Sequence, residues 1–227
     1  MKRTAASLVS IVSLTCAVSA GQQERILNVR QAPYQPILEG KLISPVWRSA
    51  TVFTKFHALQ PTPGSPTTER TVAYMMYDNQ FLYVGMRLDD KQPSAIRSDA
   101  KLPEDVAKDD WVAVCVDPTE DHRHAQYFLV NAANVRVNGT IDAHGSRTPA
   151  TVKTWHSAAT RGANGWCAEF AIPLDTIGIK LKDKAIMSFK FIRSIARTGE
   201  QQEGPSTAFG EKSPFDEFLK LRFFAKK

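Results

Sequence analysis

The chain has 227 residues, 43% of them hydrophobic, and a formal net charge of +6 at pH 7. Its length fits one large domain with a core of its own, so neither metal ions nor disulfides are needed for folding. The charge does not indicate a nucleic-acid partner, because four basic residues are concentrated at the very end of the chain and the rest is nearly neutral. They are Lys220, Arg222, Lys226 and Lys227.

The first twenty residues have the layout of a secretory signal peptide. Lys2 and Arg3 precede a short apolar run over residues 5–18, and small residues lead up to Ala20. This layout predicts export to the periplasm or the medium with cleavage after Ala20. No later segment of the sequence reaches about 18 consecutive apolar residues, so no membrane span is predicted.

Residues 21–36 are polar and contain Pro33 and Pro36, which predicts a flexible lead-in before a folded domain over residues 37–224. The first strands of this domain are short runs rich in aromatic and β-branched residues. They are residues 50–59, 71–77 and 81–88. The Asp-Asn-Gln turn at 78–80 joins the last two into a hairpin.

The chain is organised around residues 109–131. Between Asp110 and Asp117 three valines alternate with Trp111 and other residues, so a strand places the valines on one face and a mixed aromatic and acidic set on the other. Asp117 then begins a turn, and a second apolar strand ends at Asn131. The two strands are predicted to form the half-buried central hairpin of an antiparallel sheet.

Further short apolar runs follow, separated by Gly, Asn or Pro. They are residues 135–141, 151–160, 166–172, 186–195 and 218–224. Residues 174–179 look like a helical turn, and the polar connection over 91–108 has room for another. About ten short strands without a sustained helical period predict an all-β fold, an antiparallel β-sandwich of the immunoglobulin-like or jelly-roll type.

Cys115 and Cys167 are the cysteines that follow the predicted leader. Both fall on outward positions of predicted strands, and export permits a disulfide between them. Two cysteines in a domain of this size are more often unpaired and buried. Neither has a Cys or His partner at zinc-ligand spacing, so no zinc site is predicted.

A series of short motifs runs from about Ile37 to Phe223. They are Leu38-Glu39-Gly40 with Trp47, Tyr77-Asp78-Asn79 with Leu82-Tyr83-Val84, Asp109-Asp110 with Asp117, Phe128 with Asn131, Trp155, Gly165-Trp166 with Glu169 and Ile172-Pro173, and Phe189 with Arg193. In order and spacing they resemble the carbohydrate-binding module family 9-like domain of exported bacterial proteins. The resemblance implies a sandwich domain, a glycan or oligosaccharide ligand and, as in some members, a structural calcium ion.

In members of this family that hold a sugar, tryptophans clamp the ring just ahead of the paired acids and shortly before the final strand. Here these neighbourhoods contain Val106-Ala107 and Phe209. Sugar rings stack on aromatic faces, and their hydroxyls need planar polar partners. The predicted carbohydrate-binding residues are therefore Trp111, Trp155, Asp110, Asn131 and Arg193. Trp47 and Trp166 lie in apolar contexts and are predicted to be core residues.

Several other functions stay open. Asp residues at turns cap the backbone, so the calcium ion rests on the resemblance alone. No nucleophile motif or selected pair of carboxylates is visible, which predicts a non-catalytic protein, at most an accessory domain for glycoside hydrolysis. One alternative is an envelope module that has lost sugar binding and holds a protein partner. Another is a haem b protein with a Met axial ligand, although methionines in strands more often fill cores.

Overall fold

The computed structural model describes residues 26–150, 154–181, 185–205 and 219–224. Fifteen short strands dominate them. They are β1 (Ile26–Asn28), β2 (Arg30–Gln31), β3 (Thr51–Phe53), β4 (His57–Gln60), β5 (Thr71–Tyr77), β6 (Phe81–Asp89), β7 (Trp111–Asp117), β8 (His124–Asn131), β9 (Arg136–Asp142), β10 (Arg147–Ala150), β11 (His156–Gly162), β12 (Gly165–Pro173), β13 (Ala185–Ile195), β14 (Glu200–Gly204) and β15 (Leu219–Phe223).

The helical elements of the described residues are three short 3₁₀ helices, Pro45–Ser49, Pro93–Ala95 and Pro103–Lys108. The polar connection over 91–108 therefore contains two of them, whereas residues 174–178 form turns instead of a helix. In the part of the chain that the structure describes, no helix is long and apolar enough to cross a membrane.

The strands form two sheets. The larger has the order β1-β15-β13-β7-β8-β9-β10, with β14 beside β13 and β4 beside β14. The smaller has the order β11-β12-β6-β5-β2, with β3 beside β5. Neighbouring strands are antiparallel except where β1 joins β15 and β2 joins β5. The predicted antiparallel β-sandwich is confirmed.

The main hydrophobic core lies between the sheets. The larger sheet contributes the valines of β7, and the smaller contributes side chains such as Met75 and Phe170, all of them fully buried. Burying each of these side chains stabilises the fold by about 1.5–3 kcal/mol. The predicted valine face of β7 is therefore confirmed, as is its hairpin with β8, where Trp111 pairs with Asn131.

The outer face of β7 is buried as well. Trp111, Ala113 and Cys115 belong to a second hydrophobic cluster that also contains Ala100 and Val106. The prediction of a half-buried strand is therefore wrong, because the connection between β6 and β7 packs over the outer face. The alternation of side chains along a strand shows which residues share a face, but it does not show which other segments cover that face.

Residues 26–31 are ordered, so the prediction of a flexible lead-in is wrong for them. Leu27 of β1 pairs with Leu221 of the last strand, and Arg30 of β2 pairs with Met76 of β5. These short strands give hydrogen-bond partners to backbone groups that would otherwise be unpaired at a sheet edge. Because this pairing is made by backbone groups, it requires no alternation of apolar and polar side chains that the sequence would show.

Candidate functional site

A groove of about 870 Å³ opens at one end of the smaller sheet. Its walls are the loop at Gly40 and Lys41, the neighbouring ends of β5 and β6, and the hairpin of β11 and β12. This volume is within the range of small-ligand sites. Its charged side chains near the surface are Lys41, Arg70, Arg87, Asp89, Lys91 and Arg161.

One wall of the groove is held by Glu169, a fully buried residue of β12. Its carboxylate accepts hydrogen bonds from three backbone N–H groups within residues 39–42, at 2.5–3.2 Å, and from Nε1 of Trp47 at 2.8 Å. These four donors compensate a charge that water does not reach. Glu169 thereby positions the segment that carries Lys41. Trp47 lies in a buried hydrophobic cluster, which confirms the prediction that it is a core residue.

Two glycines let the walls approach each other. Gly40 has a φ of +69°, and a Cβ there would lie 2.6 Å from the backbone of Ala159. Gly165 has a φ of +137°, and a Cβ there would lie 2.0 Å from the carbonyl oxygen of Leu88. A larger residue at either position would push the loop or the hairpin outward.

Asp89 lies between two arginines on the surface of the groove. Its Oδ2 is 3.4 Å from Nη1 of Arg70, and its Oδ1 is 3.7 Å from Nε of Arg87. The three side chains are 36–61% exposed, so these ion pairs contribute at most about 1 kcal/mol to stability. Each guanidinium has five N–H donors, and Asp89 accepts a hydrogen bond from one of them, Nη1 of Arg70.

The two other carboxylates of the groove, Glu69 and Asp90, are buried. Both accept a hydrogen bond from Nη2 of Arg197, each at 2.9 Å. Asp90 also lies 3.9 Å from Nη2 of Arg193. The charges of these carboxylates are therefore compensated inside the fold, and the accessible surface of the groove is dominated by basic groups.

Arg193 lies directly beneath the groove and is fully buried. Its Nη1 donates to the carbonyl oxygen of Arg70 and to Oγ1 of Thr71, both at 3.1 Å, and its Nη2 donates to the carbonyl oxygen of Asp89 at 2.8 Å. Burial lowers the pKa of Arg193, an effect that the surrounding carboxylates oppose. This predicted sugar ligand therefore fastens the ends of β5 and β6 from the inside.

Asp110 and Asn131 are also buried and line no wall of the groove. Asp110 accepts a hydrogen bond from the backbone N–H of Arg97 at 2.9 Å, and burial raises its pKa. Asn131 donates to Asp109 at 2.8 Å and accepts from the backbone N–H of Val135 at 2.7 Å. Both side chains hold loops beside β7 and β8 in place.

Trp111 and Trp155 were predicted to offer exposed stacking faces, and this is wrong because they are only 2% and 1% exposed. The guanidinium of Arg147 lies 5.4 Å from the ring centroid of Trp111. Trp155 stacks on Phe170 at 6.1 Å within the core, and its Nε1 donates to Oδ1 of Asn138 at 3.2 Å. Of the five predicted site residues, the structure brings Trp111 and Asn131 together on paired strands and Asp110 near Arg193. Trp155 belongs to the main core, whereas Trp111 belongs to the second cluster.

All four tryptophans of the chain are at most 4% exposed, so iodide is expected to quench the intrinsic fluorescence only weakly. The quencher must touch an indole ring, and the surrounding side chains prevent this. A Stern–Volmer titration measures the effect, with free N-acetyltryptophanamide as the exposed control. Strong quenching that Trp111→Phe or Trp155→Phe removes would contradict the burial of that ring.

The family's first clamp position coincides with the third 3₁₀ helix, where Val106 is 1% exposed. Phe209, at the second position, lies outside the described residues. A smaller groove of about 320 Å³ borders this helix, and its most exposed apolar side chain is Leu102. Neither groove exposes an aromatic ring among its described lining residues. The groove beside the smaller sheet, at about 870 Å³, has more than twice the volume available to a sugar and is therefore the better candidate.

The described residues do not fit the calcium ion that the resemblance implies. Among them no three Asp, Glu, His or Cys side chains converge as a metal site. Asp117 already accepts four hydrogen bonds in the turn after β7, and Asp109 accepts three. Calcium takes six to eight oxygen ligands, whereas these oxygens are occupied by N–H and O–H donors.

The predicted alternative of a disulfide between Cys115 and Cys167 is wrong, because both cysteines are free. Cys115 lies on the outer face of the larger sheet and Cys167 on the outer face of the smaller one, so the whole sandwich separates them. Burial raises the pKa of each thiol to about 11. Cys167 lines the groove but remains protonated at neutral pH, which makes it a poor nucleophile.

Four methionines considered as haem ligands are fully buried among hydrophobic side chains. They are Met75, Met76, Met86 and Met187. Their positions support the interpretation that they fill the cores.

The groove residues were missed by the sequence analysis. Arg70, Lys91 and Arg161 look like ordinary solvated residues, and only the fold brings them together. One signal was present in β6, where Arg87 interrupts an otherwise apolar strand. Such an interruption indicates an outward position but not the walls around it.

The fold is a β-sandwich module with an open groove at one end of its smaller sheet. The sequence model described as "Carbohydrate family 9 binding domain-like" matches residues 38–207. The chain belongs to this family of carbohydrate-binding module family 9-like domains. No curated protein sequence matches the chain significantly.

Solved structures share the fold at low sequence identity. A family 9 module from Caldicellulosiruptor kristjanssonii in complex with cellotriose is 15% identical, with a TM-score of 0.64 over 89% of this chain and 95% of that one. Its complex with glucose gives 15% identity and a TM-score of 0.65, over 89% and 97%. A protein from Bacteroides uniformis is 13% identical, with a TM-score of 0.64 over 88% and 99%.

Proposed function

We propose that the chain is an exported protein that binds a glycan in the groove of the smaller sheet and does not cleave it. The observation that carries the proposal is the open groove in which Asp89 aligns the guanidinium groups of Arg70 and Arg87. Sugar hydroxyls hydrogen-bond well to such planar groups. Thr160 and Asn164 add neutral polar side chains to the same walls. Family membership supports a carbohydrate as the ligand.

The state of the acidic groups supports binding without hydrolysis. A glycosidase needs two carboxyl groups across the bound sugar, one of them with a raised pKa. Asp89 is paired with two arginines, and Glu69 and Asp90 share Arg197. Burial raises the pKa of Asp110, but this side chain is outside the groove and only 1% exposed. Incubation with a bound oligosaccharide should therefore release no reducing sugar.

The basic and apolar pattern of residues 1–20 supports export to the periplasm or the medium. Expression of the full sequence in a Gram-negative host tests this part of the proposal. We expect mature protein that begins at Gly21 in the periplasmic or secreted fraction. Uncleaved protein in the cytoplasm would contradict it.

Arg87→Ala is expected to weaken binding of the best oligosaccharide from a glycan array by about tenfold or more, because a hydrogen bond from a charged donor contributes about 1.5–3 kcal/mol. Isothermal titration calorimetry on the purified mature chain measures the affinity. The matched control is Arg123→Ala, which removes an exposed arginine from the turn between β7 and β8. Equal affinity of Arg87→Ala and the unmodified chain would exclude this groove as the site. Capture of an envelope protein without any glycan binding would favour the protein-partner alternative.

A further inference from the structure

We infer that the groove selects acidic glycans and holds a sugar carboxylate or sulfate group beside Arg70 and Arg87. This inference rests on the proposed function, because it names the ligand class of the same site. An excess of basic side chains on the accessible surface carries it. Within the described residues, five basic side chains line the groove, and Asp89 is its one carboxylate that is not buried.

The positive charges at the edge of the groove are held by neutral oxygens. Nζ of Lys91 donates to the carbonyl oxygen of Thr68 at 2.7 Å. The guanidinium of Arg161 donates to the carbonyl oxygen of Pro93 at 3.0 Å and to Oγ of Ser98 at 3.3 Å. These contacts orient both cations without cancelling their charge, so their attraction for an anion remains.

The arginines at the centre are oriented but not saturated. Asp89 lies within 4 Å of both guanidinium groups, and it can neutralise only one of the two charges. Nε of Arg87 is buried and lies 3.7 Å from Oδ1 of Asp89, so a ligand must bind the rest of this side chain, which is 43% exposed. A carboxylate or sulfate supplies the acceptor oxygens that such donors bind most strongly.

A neutral glycan has less to gain from this surface. Its affinity would come mainly from stacking on aromatic rings. All four tryptophans are buried, however, and Trp166, which lines the groove, is only 2% exposed. The basic groups would then have to release water for weaker, uncharged hydroxyl acceptors. Charge-assisted contacts are about twice as strong as neutral ones, so discrimination should follow the charge of the sugar.

The test uses calorimetry with the mature chain at an ionic strength of about 10 mM, where screening is weak. The ligands are trigalacturonate, a sulfated galactan trisaccharide, neutral cellotriose and polyphosphate of similar charge. We expect at least one acidic trisaccharide to bind about tenfold or more tightly than cellotriose, with an affinity that falls as salt is added. Comparing the two acidic sugars tells carboxylate from sulfate recognition.

Arg87→Glu is expected to lower the affinity for the acidic trisaccharide by about tenfold or more, whereas Arg123→Glu changes the net charge equally and should leave the affinity unchanged. Thermal unfolding of both variants checks that they are folded. Equal or tighter binding of cellotriose that is lost in Arg87→Ala would overturn the acidic selection and leave the proposed function standing. Absence of binding to every glycan would overturn both. Polyphosphate binding as tight as that of the acidic sugars would show a general anion site and overturn the glycan class.

Discussion

Glu169→Ala is expected to lower the free energy of unfolding by about 3–5 kcal/mol. The substitution removes an acceptor group that serves three backbone N–H groups of residues 39–42 and the indole N–H of Trp47. In the folded protein the backbone N–H of Gly40 and the indole N–H of Trp47 are then left without partners in a buried place, and each such donor costs about 1–3 kcal/mol. Urea denaturation followed by circular dichroism measures the loss.

The matched control for this prediction is Glu39→Ala, which removes an exposed carboxylate from the same loop and keeps the backbone N–H that Glu169 binds. It should change the free energy of unfolding by less than about 0.5 kcal/mol. Glu169→Gln should lie between the two, because it keeps one acceptor oxygen but turns an amide NH₂ toward N–H donors. A loss below about 1 kcal/mol for Glu169→Ala would show that water replaces the carboxylate.

Substitution of Glu169 should also affect ligand binding in the groove. Glu169 holds the loop that carries Lys41. The folded fraction of Glu169→Gln should therefore bind an acidic oligosaccharide more weakly than the unmodified chain. Glu39→Ala should bind normally. Normal affinity of Glu169→Gln would show that Lys41 and its loop contribute nothing to the ligand.

Arg193→Met is the second substitution with a large expected effect, again about 3–5 kcal/mol in the free energy of unfolding. Methionine fills much of the volume but leaves the carboxylates of Asp90 and Asp110 buried without this counter-charge. It also removes the donor to the carbonyl oxygens at the ends of β5 and β6. Arg123→Met, on an exposed arginine, is the control and should be nearly neutral.

The loss from Arg193→Met should depend on pH. Burial raises the pKa of Asp110 and the charge of Arg193 opposes this rise, so the substitution raises the folded-state pKa further. A carboxyl with a raised folded-state pKa favours folding when protonated, and this contribution is lost as the pH rises from the ordinary value of about 3.9 through the folded-state pKa. The difference from the unmodified chain should therefore be smaller near about pH 4 than near about pH 7. Adding Asp110→Asn should recover part of the stability at the higher pH.

Local patterns in the sequence are enough to predict the longer strands and the sandwich. Valines at every second position of β7 require one apolar face, and the Asp-Asn-Gln turn after Tyr77 requires a hairpin, because these patterns act over a few neighbouring residues. Trp47 and Trp166 could be assigned to cores for the same local reason. The family resemblance followed from the order of such local motifs.

Which outward residues meet water depends on tertiary contacts that local patterns do not show. Strand alternation placed Trp111 and Cys115 on an outer face, but it does not show that the connection before β7 folds back over this face. The groove depends in the same way on Gly40, Arg87 and Arg161, which are far apart in sequence and meet only because β6 and β11 flank β12. Burial and charge compensation arise from contacts between distant segments, so a pattern of neighbouring residues does not contain them.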